Sequence, residues 1–137
     1  MLRSLFIAFV VLMTTILSAQ GPLPDPYQGK FLRIILTVSS LPMTIDTTTP
    51  LESFKENGIS VSPDSMVVWA TSAAMVKKEV ASGKLIITGD MSLLREGASI
   101  AIVEKDGKPF VVVNLTNLMR CKVKVGDSVI RIGKVIK

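Results

Sequence analysis

Residues 65–88 read SMVVWATSAAMVKKEVASGKLIIT, and the fold class of the chain turns on that stretch. Met66-Val67-Val68-Trp69-Ala70 is a short unbroken apolar run, the pattern of a strand covered on both faces. Ser72 can cap a helix running through Val80, with Ala73, Val76 and Val80 on one side and Lys77, Lys78 and Glu79 largely on the other. Gly83 is placed to end that helix in a left-handed cap, and Leu85-Ile86-Ile87 supplies a second apolar strand. Strand, helix, strand in so short a span is a βαβ unit with a parallel pair. The expected class is therefore α/β: a single small domain whose mixed sheet joins this unit to a C-terminal β-hairpin and is flanked by helices.

Downstream, Met91 to Glu96 reads as a short helical segment ending at Gly97. Ser99–Glu104 and Lys108–Val113 are β-rich runs joined by Lys105-Asp106-Gly107, and Asp-Gly between such runs is a strong hairpin signal. Asn114 to Arg120 has the makings of a helix. The last run, 128–136, fits both periods: 129, 132 and 136 on a helix, or 130, 132, 134 and 136 on a strand face. A helix with Asp127 as N-cap is preferred. Gly97, Asp106, Gly107 and Asn114 are assigned to structural turns and caps, because glycine, aspartate and asparagine suit such positions.

Upstream the signal is weaker. Residues 20–27, with three prolines, read as an extended leader. Apolar positions 31, 34, 35 and 38 follow one helical face, with a strand over 32–38 as the competitor because the run is rich in Ile and Val. Residues 42–63 are polar and are expected to be loop with little core, with one or two helical turns over Leu51–Glu56 as an option. Three regions follow: 1–19 as a signal peptide, 20–62 as leader, helix and loop, and 63–137 as the α/β core.

A basic Arg3, an apolar run from Leu5 to Leu17 and the small residues Ser18-Ala19 have the form of a cleavable secretory signal. The run falls short of the ~20 residues that span a bilayer. Cleavage after Ala19 would leave 118 of the 137 residues and put the mature chain outside the cytoplasm, with a periplasmic location. Cys121 is the single cysteine, so no intrachain disulfide can form. It reads as a small core residue, with a thiol activated by Arg120, Lys122 and Lys124 as the sharper alternative.

Catalytic and cofactor motifs are poorly represented. Histidine is absent, which removes the usual base for Ser or Cys nucleophiles and the commonest metal ligand. Ser82 with Lys84 reads as a solvated loop. Asp90, Glu104 and Asp106 do not follow an oxygen-ligand loop spacing, and Gly83, Gly89 and Gly97 are isolated and open no phosphate loop. No enzyme activity, cofactor or metal is expected. Aromatic content of 5% argues against a base-stacking surface and hence against nucleic acid.

Charge is unevenly placed. Residues 120–137 hold six bases against Asp127 alone, a net of +5, while 20–119 are close to neutral. Arg120, Lys122, Lys124, Arg131 and Lys134 are the candidate partner-binding residues, suited to an acidic protein surface or to anionic headgroups. The other reading is a solvated face.

The segment 64–136 resembles the YfiR-like family of small periplasmic proteins. The matching residues are Leu85-Ile86-Ile87-Thr88-Gly89-Asp90, Gly97, Ile100, Val103, Asp106-Gly107-Lys108, Phe110 and Asn114-Leu115, followed by Val123, Val125, Val129-Ile130 and Val135-Ile136. Gly126-Asp127 stands where the family has a Ser pair, and 42–63 offers no clear early βαβ unit. The resemblance implies a non-enzymatic regulator that binds and represses the periplasmic sensor region of a membrane-bound diguanylate cyclase in cyclic-di-GMP signalling. A periplasmic small-ligand carrier or an envelope structural protein is the alternative, since fold does not fix function. Homodimerisation is left open.

Overall fold

A strand that is apolar on both faces needs cover on both, and the chain supplies it from either side of the 65–88 unit. The computed structural model describes residues 21–136. The expected signal segment and its cleavage site lie outside the described residues. In chain order the elements are β1 (Gly21–Pro22), α1 (Asp25–Val38), β2 (Thr44–Ile45), α2 (Glu52–Glu56), β3 (Ser60–Val61), β4 (Val67–Ala70), α3 (Ala73–Val80) and β5 (Leu85–Thr88). There follow a 3-10 turn (Met91–Leu94), β6 (Ile100–Lys105), β7 (Lys108–Asn114), α4 (Leu115–Arg120), α5 (Asp127–Ile132) and β8 (Lys134–Ile136).

The main sheet has the order β4-β5-β6-β7-β8. β4, β5 and β6 run parallel, β7 returns antiparallel to β6, and β8 lies parallel to β7. β1 pairs antiparallel with β6 at Glu104 and Val103, beyond the point where β5 leaves it at Ala101. The βαβ unit is therefore as expected, including Ser72 as N-cap, whose hydroxyl accepts the Met75 N–H at 3.2 Å, and Gly83 at φ +76°.

Side chains alternate strictly between two cores, as the two-residue strand period requires. Val67, Trp69, Leu85, Ile87, Ile100, Ile102, Val111 and Val113 face Leu32, Ile35 and Leu36 of α1, Phe54 of α2 and Val129 of α5. Val68, Ala70, Ile86, Ala101, Val103 and Val112 face Val76 of α3 and the turn residues Leu93 and Leu94. The result is three layers, helix on sheet on helix. Full burial of each Leu, Ile or Val is worth ~1.5–3 kcal/mol.

Three expectations are corrected and one is narrowed. The extended leader is shorter than residues 20–27, because α1 already begins at Asp25. Pro24 is its N-cap and Pro26 lies in its first turn, where a missing N–H costs no hydrogen bond. Residues 42–63 are not a coreless loop: β2 and β3 are parallel and joined through α2, a second, minimal βαβ unit. Ile45, Phe54 and Ile59 are buried there, and Phe54 meets Trp69 edge-on at 5.1 Å between ring centroids. The helical turns over 51–56 are present as α2, while strands of two residues are too short to show a period. The segment 91–96 forms only a 3-10 turn over Met91–Leu94. Finally, 128–136 is divided: a helix capped by Gly126, not Asp127, stops at Ile132, and Lys134–Ile136 then joins the sheet. β7 has a free edge there, which only the tertiary arrangement reveals.

Polar contacts tie residues 21–62 to the rest of the fold. β2 touches the main sheet through the bridge Asp46–Val68, and Lys84 Nζ lies 3.2 Å from Asp46 Oδ2, tying β2 to β5 across β4. The Ser39 hydroxyl, just past α1, accepts the Gly126 N–H at 2.9 Å, fixing the entry to α5.

The hairpin turn is the most sharply specified local feature. Lys105 pairs with Lys108, leaving Asp106 at φ +54° and Gly107 at φ +74°, the two left-handed residues of a type I′ turn. Open space surrounds Gly107, so a side chain there would meet backbone strain and no clash. Gly107→Val is expected to lower stability by about 1 kcal/mol or more, measured by denaturant unfolding. An unchanged midpoint would contradict the turn geometry.

Candidate functional site

All five candidate partner-binding bases are solvent-exposed, but the fold divides them. Arg120 ends α4 and lines a small crevice with Val80, Lys84 and Cys121. Lys122 donates its backbone N–H to the Gly83 carbonyl at 2.7 Å and lays its methylene stem over Gly83, at the start of β5. Lys124 follows in the connection to α5. Arg131 sits in the last turn of α5, and Lys134 opens β8 opposite Val112. β5 and β8 are three strand positions apart, ~14 Å across the sheet, and Lys134 is level with Thr88 through Val112 and Ala101, five residues along from Gly83, where Lys122 sits. The +5 segment thus presents two basic points rather than one cluster.

Exposed apolar side chains accompany these points. Met119 in α4 is 77% exposed, Ile132 at the end of α5 is 66% exposed, and Val135 of β8 is also exposed. Among the described residues β8 is an edge strand, its outer backbone groups without a partner strand. Charge patterning pointed to the bases; the apolar companions were missed, because only tertiary structure shows which apolar residues remain outside.

The four residues assigned to turns and caps occupy such positions. Asn114 caps α4, its Oδ1 accepting the Asn117 N–H at 3.0 Å, and Asn117 Nδ2 donates to the carbonyls of Leu94 and Ala98. Gly97 has φ +129° against Val80, and Asp106 and Gly107 make the hairpin turn. The Ser82 hydroxyl donates to the Glu79 carbonyl at 2.6 Å, while Lys84 is engaged by Asp46. Among the described residues no group of three or more His, Cys, Asp or Glu is arranged to hold a metal ion, and no helix is long and apolar enough to cross a membrane.

A second feature was not visible in the sequence. At the carboxyl ends of β4 and β5 lies a cleft of about 370 Å³ lined by Gln28, Leu51, Trp69, Ala70, Thr71, Thr88, Gly89 and Asp90. Gln28, on α1, is 4% exposed; its Nε2 donates to the Leu23 carbonyl at 2.7 Å, while its Oε1 is buried without a partner among the described residues. Such an orphaned acceptor costs ~1–3 kcal/mol of desolvation.

Comparison with known proteins adds no assignment: no family model, no curated protein and no solved structure matches the chain.

Cys121 is half-buried against the core, its Sγ 3.1 Å from the Leu118 carbonyl and 3.2 Å from that of Val123. Burial pushes its thiol pKa up, outweighing backbone hydrogen bonds at Val123 and Cys121 that act the other way. Activation by neighbouring bases is therefore corrected: Arg120, Lys122 and Lys124 are solvent-exposed residues, and charge in solvent is screened. A raised pKa leaves less thiolate at neutral pH than the ~8.5 of a free cysteine allows. Alkylation by iodoacetamide at pH 7 is expected to be slower than for a free cysteine and to rise as pH increases past that value. A rate equal to or above that of free cysteine would contradict this environment.

Proposed function

We propose that the chain is a non-enzymatic periplasmic regulator that binds the sensor region of a membrane-bound diguanylate cyclase and holds its output down. The observation that carries the reading is the combination, in 119–135, of exposed bases with exposed apolar side chains. Arg131 and Lys134 flank Ile132 and Val135, and Arg120 stands beside Met119. Apolar side chains beside arginine are what the buried centre of a protein interface uses, with charge at the rim setting encounter rate and register. The resemblance of 64–136 to the YfiR-like family supplies the kind of partner, and the positive charge supplies its expected sign: an acidic surface. With the bases on two separate points, the partner would need acidic groups on two points as well.

Replacing Lys122, Lys124, Arg131 and Lys134 with Gln should slow association with the partner recovered by crosslinking in membranes. Raising salt should weaken the wild type far more than this variant, because exposed charges are screened beyond ~8–10 Å at physiological ionic strength. Deletion of the gene should raise cyclic-di-GMP. Unchanged cyclic-di-GMP together with no crosslinked membrane partner would remove the reading.

A further inference from the structure

We propose that the cleft at the carboxyl ends of β4 and β5 is a binding site for a small organic amine: an apolar body carrying an N–H-rich, positively charged head. Its position is the first reason. β2 and β4 are adjacent and parallel, yet β2 leads to α2 on one face of the sheet and β4 leads to α3 on the other. Where neighbouring parallel strands send the chain to opposite faces, a crevice opens outside their carboxyl ends, and open α/β sheets bind their ligands there.

The second reason is the unpaired acceptor. The other buried polar group lining the cleft, Thr88, is satisfied: its Oγ1 donates to the Ala70 carbonyl at 2.8 Å and accepts the Asp90 N–H at 3.1 Å. At the rim, Thr71 Oγ1 accepts from Thr49 Oγ1 at 3.1 Å. Gln28 Oε1 alone, among the described buried side-chain atoms, has no partner. Its assignment as oxygen is fixed by the amide nitrogen, which must face the Leu23 carbonyl. Gly89 makes room for this amide: a Cβ there would stand 2.7 Å from Nε2 and 3.0 Å from Oε1.

The lining selects the chemistry. Leu51, Trp69 and Ala70 offer apolar wall; among the described residues no lysine or arginine lines the cleft, and its one charged group is Asp90. Asp90 Oδ1 already accepts from the N–H and hydroxyl of Ser92, so Oδ2 is left for a ligand. Two acceptors and one negative charge favour a donor-bearing cation and repel a carboxylate. The site lies apart from the bases of the carboxy-terminal segment, so its occupancy and partner binding can be measured separately.

Trp69 is the chain's single tryptophan and lines the cleft, so its emission reports occupancy directly. Benzylamine titrated into the intact protein is expected to give a saturable emission change with Kd of about 1 mM, and benzoate a response at least ~10-fold weaker. Gln28→Met and Asp90→Asn should each weaken benzylamine by roughly 3- to 10-fold. Asn is as good an N-cap as Asp, so the second variant keeps the local fold. Gln28→Met removes the orphaned carbonyl but also the Nε2 bond to the Leu23 carbonyl, two opposing effects of similar size, so it should melt close to the wild type and stay folded for the titration. No saturable response to benzylamine, equal binding of benzoate, or unchanged affinity in both variants would overturn the proposal.

Discussion

Burial of β4 and β5 on both faces is the constraint from which the rest of the structure follows. All eight residues of the two strands are buried, four facing each core by alternation. A two-sided strand leaves two apolar layers to be covered by segments far apart in sequence. α3 and the Met91–Leu94 turn cover one layer from within the same half of the chain. The other layer can be covered only by α1 and α2, from before residue 63, and by α5 from the carboxy terminus. One apolar cluster accordingly runs from Leu23 to Val129. The small-unit contacts at Asp46–Lys84 and Ser39–Gly126 serve that arrangement by fixing where the cover sits.

Legibility in the sequence tracked the length over which a period could be read. Val67–Ala70, Ala73–Val80 and Leu85–Thr88 announce themselves because run, cap and stop agree, and Asp106-Gly107 because the turn chemistry is specific. The helix over 31–38 was readable from Phe31, Ile34, Ile35 and Val38, but its buried stripe is Leu32, Ile35 and Leu36. Ile34 and Val38 lie exposed, because the sheet, not the helix, decides which side is covered. Thr44–Ile45 and Ser60–Val61 were illegible, as two-residue strands exist only through the neighbour they pair with. β8 was misread for the same reason: its Lys134–Ile136 segment is a strand because β7 has an edge to offer.

The two candidate surfaces differ in the same way. Bases in 120–134 could be counted from the sequence, whereas their separation into two points and their apolar companions required the fold. The cleft depends on Gln28, Trp69 and Gly89, which come from one helix and the ends of two strands. No spacing in the chain relates them. Charge guides partner encounter, while a desolvated acceptor such as Gln28 Oε1 marks a place where folding has left a hydrogen bond unmade.

The dependence of the sheet on cover from before residue 63 is tested most directly by comparing a 63–137 fragment with the 20–137 chain by thermal unfolding and amide hydrogen exchange. The longer chain should melt cooperatively with its slowest-exchanging amides in β4, β5 and β6. The fragment, with Val67, Trp69, Leu85 and Ile87 stripped of α1 and α2, should show neither a cooperative transition nor protected amides. A fragment that melts cooperatively with native-like protection would show that 63–137 folds on its own, and would contradict the account.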